Sequence, residues 1–215
     1  GVPFSDPIAD GPVNQRAAVR ALEAGASMSG VLRLVARVRR DLAVPMVLFT
    51  YYNPILRRGV ERFAEQAASS GVDGVLCVDL PPEEGEKELA PALRARRIDP
   101  VYLLAPTSTR ERVRRVSEAS RGFVYYVSRT GVTGERDRLP KSVLKAARTL
   151  RRKVDLPLAV GFGISSPEQV AEVARVADGV VVGSALVRIV EENAGSPDLE
   201  RLVEERARGL RAALD

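Results

Sequence analysis

Short unbroken apolar runs alternate along the chain with longer stretches of helical periodicity. The runs at 44–50, 74–79, 100–105, 122–128, 156–161 and 179–182 predict six strands. Between them the pattern predicts helices over 29–41, 59–70, 83–96 and 140–153, others opening near Ser108, Ser166 and Ser184, and a last one over 197–213. Phe63, Ala67 and Ala68 recur at the spacing of one helical face. Ser108-Thr-Arg-Glu111 and Ser166-Pro-Glu-Gln169 both have capping-box spacing, the second with proline in the first helical position. The strands are continuous apolar runs rather than alternating ones, so both faces are expected to be covered, as in a parallel sheet flanked by helices. Nothing interrupts the alternation, and a single α/β domain over 1–215 is expected. Six strands fit a doubly wound sheet; a (β/α)8 barrel needs eight strands and typically ~250 residues.

Composition narrows the chemistry. Of the 215 residues, 45% are hydrophobic and 28% charged, which argues against disorder. No apolar run approaches the ~18 residues of a membrane helix. The single cysteine, Cys77, excludes an internal disulfide framework and points to a reducing, cytoplasmic compartment; mid-strand, it reads as inert core. The absence of histidine removes Ser-His-Asp catalysis and histidine-liganded metals. Acid–base work then falls to Asp, Glu, Tyr, Lys or Arg. The net charge is +5, and the positive charge is nearly all arginine, with Asp and Glu interspersed. Arg110, Arg112, Arg114 and Arg115 read as a solvated helix face, and no aromatic stacking pattern accompanies them, which disfavours nucleic acid. An anionic small substrate suits this balance.

Three glycine-containing loops leave strand ends: Thr130-Gly-Val-Thr-Gly134, Gly161-Phe-Gly-Ile-Ser-Ser166 and Val182-Gly-Ser-Ala185. The last two run directly into helices, where free N–H groups and the positive helix end bind phosphate. Consecutive loops of this kind recur after strands seven and eight of barrels. With that registration the visible strands are three to eight, and residues 1–12 are the loop after strand two. No G-x-G-x-x-G follows an early strand and no Walker lysine motif is present. The first twelve residues hold three prolines, two glycines and two aspartates, a stiff loop able to fix a carboxylate, although Asp beside Pro or Gly is also ordinary turn chemistry.

GVPFSDPIADGP at 1–12, SRTGVTG at 128–134, GFGISSPEQV at 161–170 and VVGSALV at 181–187 together resemble the tryptophan synthase α subunit family, in order and spacing, from end to end. The resemblance implies a (β/α)8 barrel and retro-aldol cleavage of indole-3-glycerol phosphate to indole and glyceraldehyde 3-phosphate. It implies no cofactor in this chain and a β-subunit partner, carrying pyridoxal phosphate, in an α2β2 assembly. Asp10 falls on the family's catalytic aspartate, whose carboxylate stabilises positive charge on the indole nitrogen. Tyr125 falls on its active-site tyrosine, though a strand-core aromatic is the alternative. Thr133 falls in a loop that closes over Asp10. Gly134, Gly163, Gly183 and Ser184 match phosphate-binding positions; Phe49 and Phe162 match the indole pocket, though ordinary core residues are the alternative for both. Pro3, Asp6 and Asn53, the last within Tyr51-Tyr-Asn-Pro54, match the face turned to the β subunit. Asn-Pro is otherwise a turn signal.

The family's acid–base glutamate lies two residues before the GVPF motif. It is therefore expected to be missing from a chain beginning at Gly1, with strands one and two, and the 215 residues are expected to be a fragment with little lyase activity alone. Rival readings are a stand-alone indole-3-glycerol phosphate lyase, a different phosphate-binding barrel, and a non-catalytic barrel that only binds ligand or a β-type partner.

Overall fold

The computed structural model describes residues 1–127, 139–161 and 163–214. The chain divides into two compact units, Gly1–Leu103 with Glu118–Gly122, and Leu104–Ser117 with Phe123–Asp215.

The first unit begins with an extended segment, then α1 (Pro12–Glu23), α2 (Met28–Val38), β1 (Val47–Thr50), α3 (Tyr52–Arg58) and α4 (Val60–Ser70). It continues through β2 (Gly74–Cys77), α5 (Pro82–Gly85), α6 (Leu89–Arg94) and β3 (Asp99–Val101). The strands lie in the order β1-β2-β3, all parallel, with Leu48 opposite Val75 and Val75 opposite Pro100. The core forms where α2 and α4 lie on the sheet: Leu32, Val35, Phe63, Ala64 and Ala67 pack with Leu48, Val75 and Cys77. Gly71 ends α4 in the left-handed region at φ 85, and the Arg39 guanidinium donates to its carbonyl and pairs with Asp73.

The second unit holds β4 (Leu103–Leu104, which starts at the boundary), α7 (Arg110–Ala119, whose last two residues belong to the first unit), β5 (Val124–Val127), α8 (Lys141–Arg151) and β6 (Leu158–Gly161). α9 (Pro167–Ala174), β7 (Gly179–Val181), α10 (Ser184–Glu192) and α11 (Leu199–Ala212) complete it. The strand order is β4-β5-β6-β7, with β5, β6 and β7 parallel and Tyr125 opposite Ala159. β6 is buried throughout, as its unbroken apolar run predicts. α11 packs on α9 and α10.

Several expectations need correction. The helix predicted over 83–96 is two short helices, α5 and α6. Pro91 has no N–H to give to residue 87 and its ring crowds that carbonyl, so the backbone cannot stay helical through 86–88. The Glu86 carboxylate then bridges the break to the Arg94 guanidinium (2.9 Å). The strand predicted over 100–105 divides at Tyr102 between β3 and β4. The helix start near Ser108 is capped one residue later: Thr109 Oγ1 accepts from Arg112 N–H (3.2 Å), while Ser108 Oγ accepts from Ala105 N–H (3.0 Å) in the preceding turn. Tyr51-Tyr-Asn-Pro54 is no turn but the start of α3, where proline in the first turn forfeits only an N–H that has no helical partner. α1 was not anticipated; it starts with Pro12 at its first position. The expected box at Ser166 is present as predicted.

Candidate active site

The first unit fixes Asp10. Val2 N–H donates to the Phe49 carbonyl (2.9 Å) and lays the N-terminal segment beside β1. Asp10 N–H donates to the Pro7 carbonyl (3.0 Å), a tight turn whose other side is closed by Gln15 Nε2 on the Asp10 carbonyl (2.9 Å). The half-buried Asp10 carboxylate accepts from the Tyr51 hydroxyl at Oδ2 (2.9 Å) and, at a long 3.4 Å, from Asn14 Nδ2 at Oδ1. Asn14 Oδ1 is itself buried without a partner among the described residues. Tyr51 is buried, tilted against Phe4 with ring centroids 5.2 Å apart, and its oxygen accepts from Ala9 N–H (3.0 Å). Burial, then the hydrogen bond to Asp10, pushes the Tyr51 phenol well above its ordinary value, so it is a neutral donor.

Phe49 is half-buried and leaves β1 on the face opposite Leu48, which is committed to the helix-packed core. It stays outside that core, as a pocket wall would. Pro3 is half-buried and Asp6 and Asn53 are exposed; the Ser5 hydroxyl donates to Asp6 Oδ2 (2.7 Å). Beside them in sequence, Ile8 and Leu56 expose 83% and 53% of their surface, large apolar side chains left to water. Cys77 is buried, as expected; its thiol donates to Asp79 Oδ1 (3.3 Å), and burial pushes it well up.

The second unit holds the other candidates. Tyr125 is buried on β5, and burial pushes its phenol up to about 12. Its hydroxyl occupies the place that a β-carbon on Gly161 would need. Gly163 sits at φ 74, a conformation that side-chain-bearing residues rarely adopt. The two helix starts that follow differ. At α9, Ser166 Oγ accepts from Gln169 N–H (3.3 Å), and Gln169 Oε1 accepts from Ser165 N–H (2.8 Å) and Ser166 N–H (3.3 Å). That start is satisfied internally. At α10, Gly183 is the cap, and among the described residues no side chain caps the helix and nothing stands within 4 Å of where a Gly183 β-carbon would be. Ser184 is the first residue of α10. The equal expectation for both helix starts is thus refined: α10 presents the open one. Thr133, Gly134 and Phe162 lie outside the described residues.

Among the described residues no group of three or more Cys, Asp or Glu side chains is placed to hold a metal ion, and no helix is long and apolar enough to cross a membrane. Sequence reading missed the partner of Asp10. Tyr51 stands 41 positions away and was grouped only with the surface segment it begins.

Comparison with known proteins follows the same lines. The family described as tryptophan synthase alpha chain matches residues 1–214. The tryptophan synthase alpha chain of Solibacter usitatus is 52% identical over 211 residues, 98% of this chain and 79% of that one. That of Opitutus terrae is 52% identical over 198 residues, 92% of this chain and 74% of that one. Among solved structures, the tryptophan synthase α2β2 complex of Pyrococcus furiosus is similar with a TM-score of 0.90 at 40% identity, covering 98% of this chain and 84% of that one. A mutant alpha-subunit from the same organism gives 0.88 at 39% over the same shares.

Proposed function

Since the chain belongs to the tryptophan synthase alpha chain family, a family of lyases in tryptophan biosynthesis with a (β/α)8-barrel fold, we propose how its residues carry the cleavage of indole-3-glycerol phosphate to indole and glyceraldehyde 3-phosphate. The reaction protonates the indole ring at C3, which places positive charge on the ring nitrogen. The glycerol hydroxyl next to the ring then gives its proton to the acid–base group that protonated C3, which the family resemblance places on a glutamate two residues before the GVPF motif; its carbon becomes the aldehyde, and the electrons of the broken C–C bond return to the ring to restore indole. Asp10 accepts the indole N–H and stabilises the charge as it develops. Tyr125, a neutral phenol at working pH, lies along the substrate as a wall and donor, and Phe49 flanks the indole. The open start of α10, with Gly183 and Ser184, holds the phosphate through N–H groups and one hydroxyl, helped by the Gly163 turn. Thr133, Gly134 and Phe162 keep the roles that the family resemblance implies for them.

The observation that carries this reading is the Asp10 carboxylate. It is held in place by Tyr51 yet retains acceptor capacity, since an ionised carboxylate offers about four lone-pair sites and only two donors reach it among the described residues. No cofactor enters the cleavage. The indole passes to a β subunit that supplies pyridoxal phosphate for its own step, and the face carrying Pro3, Asp6 and Asn53 is where that subunit docks, in the cytoplasm. The α2β2 assembly of the Pyrococcus furiosus protein supports the pairing.

The test is indole release from indole-3-glycerol phosphate with the β subunit present. Asp10→Asn is expected to lower kcat by about 100-fold or more with KM changed by less than about threefold. Wild-type turnover by Asp10→Asn would overturn the assignment.

A further inference from the structure

Tyr51 is buried to 3% exposure at the junction of β1 and α3, a position where the backbone turns from strand to helix. Its ring has little freedom: Phe4 stands against it and the α3 backbone begins at the next residue. The phenol oxygen has one proton to give and can accept. Ala9 N–H (3.0 Å) uses its acceptor side. The other neighbour, Asp10 Oδ2 at 2.9 Å, can only accept when ionised, so the phenol proton must point there. The direction of this hydrogen bond therefore follows from chemistry. The two carboxylate oxygens are not equivalent as a result. Oδ2 is engaged by the phenol at an ordinary hydrogen-bond distance of 2.9 Å. Among the described residues Oδ1 has only the Asn14 amide at 3.4 Å, near the limit at which a hydrogen bond still counts.

We propose that Tyr51 is a positioning residue for the cleavage: anchored by Ala9 N–H, its hydroxyl holds Asp10 Oδ2 and turns the carboxylate so that Oδ1 is the oxygen that receives the indole N–H. This rests on the reading of Asp10 as the group facing that nitrogen. The same phenol ties Asp10 to the first turn of α3, where Asn53 is exposed, so the orientation of the carboxylate and the start of that helix are mechanically joined.

The experiment is a double-mutant cycle on indole release, run on the complex with the β subunit. Tyr51→Phe keeps the ring and removes only the hydroxyl. It is expected to lower kcat by roughly 10- to 100-fold, the scale of a misplaced catalytic group, with KM within about threefold of wild type. In an Asp10→Asn background the same substitution is expected to change kcat by less than about threefold, because there is no carboxylate left to orient. A Tyr51→Phe enzyme with wild-type kcat overturns the proposal, and so does an equal loss in both backgrounds, which is what a purely structural role would give. If Asp10→Asn itself keeps activity, the reading of Asp10 fails first, and the two failures are distinguished. A second measurement needs no variant at 51. With tyrosines labelled by 13C at Cζ, Asp10→Asn is expected to move the Tyr51 resonance and leave that of Tyr126 in place; an unmoved Tyr51 resonance overturns the proposal whatever the folding of Tyr51→Phe.

Discussion

The Arg206 guanidinium, on α11, donates to the carbonyl of Ser165, one residue before the cap of α9. The C-terminal helix thereby holds the far end of the loop that carries Gly163. Arg206→Ala removes a hydrogen bond from a charged donor in a half-buried place, and a loss of roughly 1–3 kcal/mol is expected. Urea denaturation of the variant measures it, and a rise in KM for indole-3-glycerol phosphate at unchanged kcat would show that the loop end also supports substrate binding.

The two helix starts after β6 and β7 should respond differently to loss of a serine. Ser166→Ala breaks the capping box and is expected to destabilise the chain by about 1 kcal/mol, or about 2–4 °C in Tm, with KM nearly unchanged. Ser184→Ala takes nothing from the cap of α10, so Tm should hold while KM rises by roughly tenfold, about 1.4 kcal/mol of phosphate binding. Thermal melts and steady-state kinetics on the two variants decide it, and the reverse pattern would move the phosphate to α9.

All five tyrosines, Tyr51, Tyr52, Tyr102, Tyr125 and Tyr126, are pushed above their ordinary value, with burial the largest cause each time. In the unfolded chain these phenols release protons near pH 10, where the native state still holds them. The native state then binds more protons than the unfolded one, so stability falls as pH rises. The contribution is fully present below about pH 10 and is lost as pH climbs through the native values, near 12 for Tyr125. Absorbance of tyrosinate at 295 nm should stay low in the native protein past pH 10 and rise together with unfolding. Ordinary titration of several tyrosines at pH 10 without unfolding would contradict the buried placements.

Cys77 is buried and its thiol pushed well up by that burial and, next, by the neighbouring Asp79. A neutral, inaccessible thiol is a poor nucleophile. The native chain is expected to be unreactive towards a disulfide reagent such as Ellman's at pH 8, and to give one thiol equivalent in denaturant.

Much of the fold was legible because it rests on local rules. β2 and β6 are wholly buried, and unbroken apolar runs announce such strands; the Ser166 box is a four-residue signal satisfied by four residues. Pro91 was legible in principle, since a proline nine residues into an expected helix forces a break four residues earlier, but the apolar periodicity of 83–96 masked it. α1 and α3 begin with proline in the first turn, and there the same residue that signals a turn also fits a helix start. The site was legible by position and not by contact. The GVPF and VVGSALV motifs mark Asp10 and Ser184, whereas the Asp10–Tyr51 bond joins residues 41 apart and exists only because the N-terminal segment lies beside β1. No local pattern encodes that approach.

Gly161 has no positive φ, and what bars alanine there is the Tyr125 phenol; Gly85 stands in the same relation to Tyr102. The consequence is historical. A lineage can place a side chain at 161 only after the residue at 125 has become smaller, whereas the reverse order passes through a molecule whose adjoining strands are forced apart. At both places the tyrosine ring fills the room that a side chain on the glycine would need, so the two positions are sterically tied to each other. An enzyme redesigned to accept a bulkier ring should follow that order, shrinking 125 first and only then building on 161.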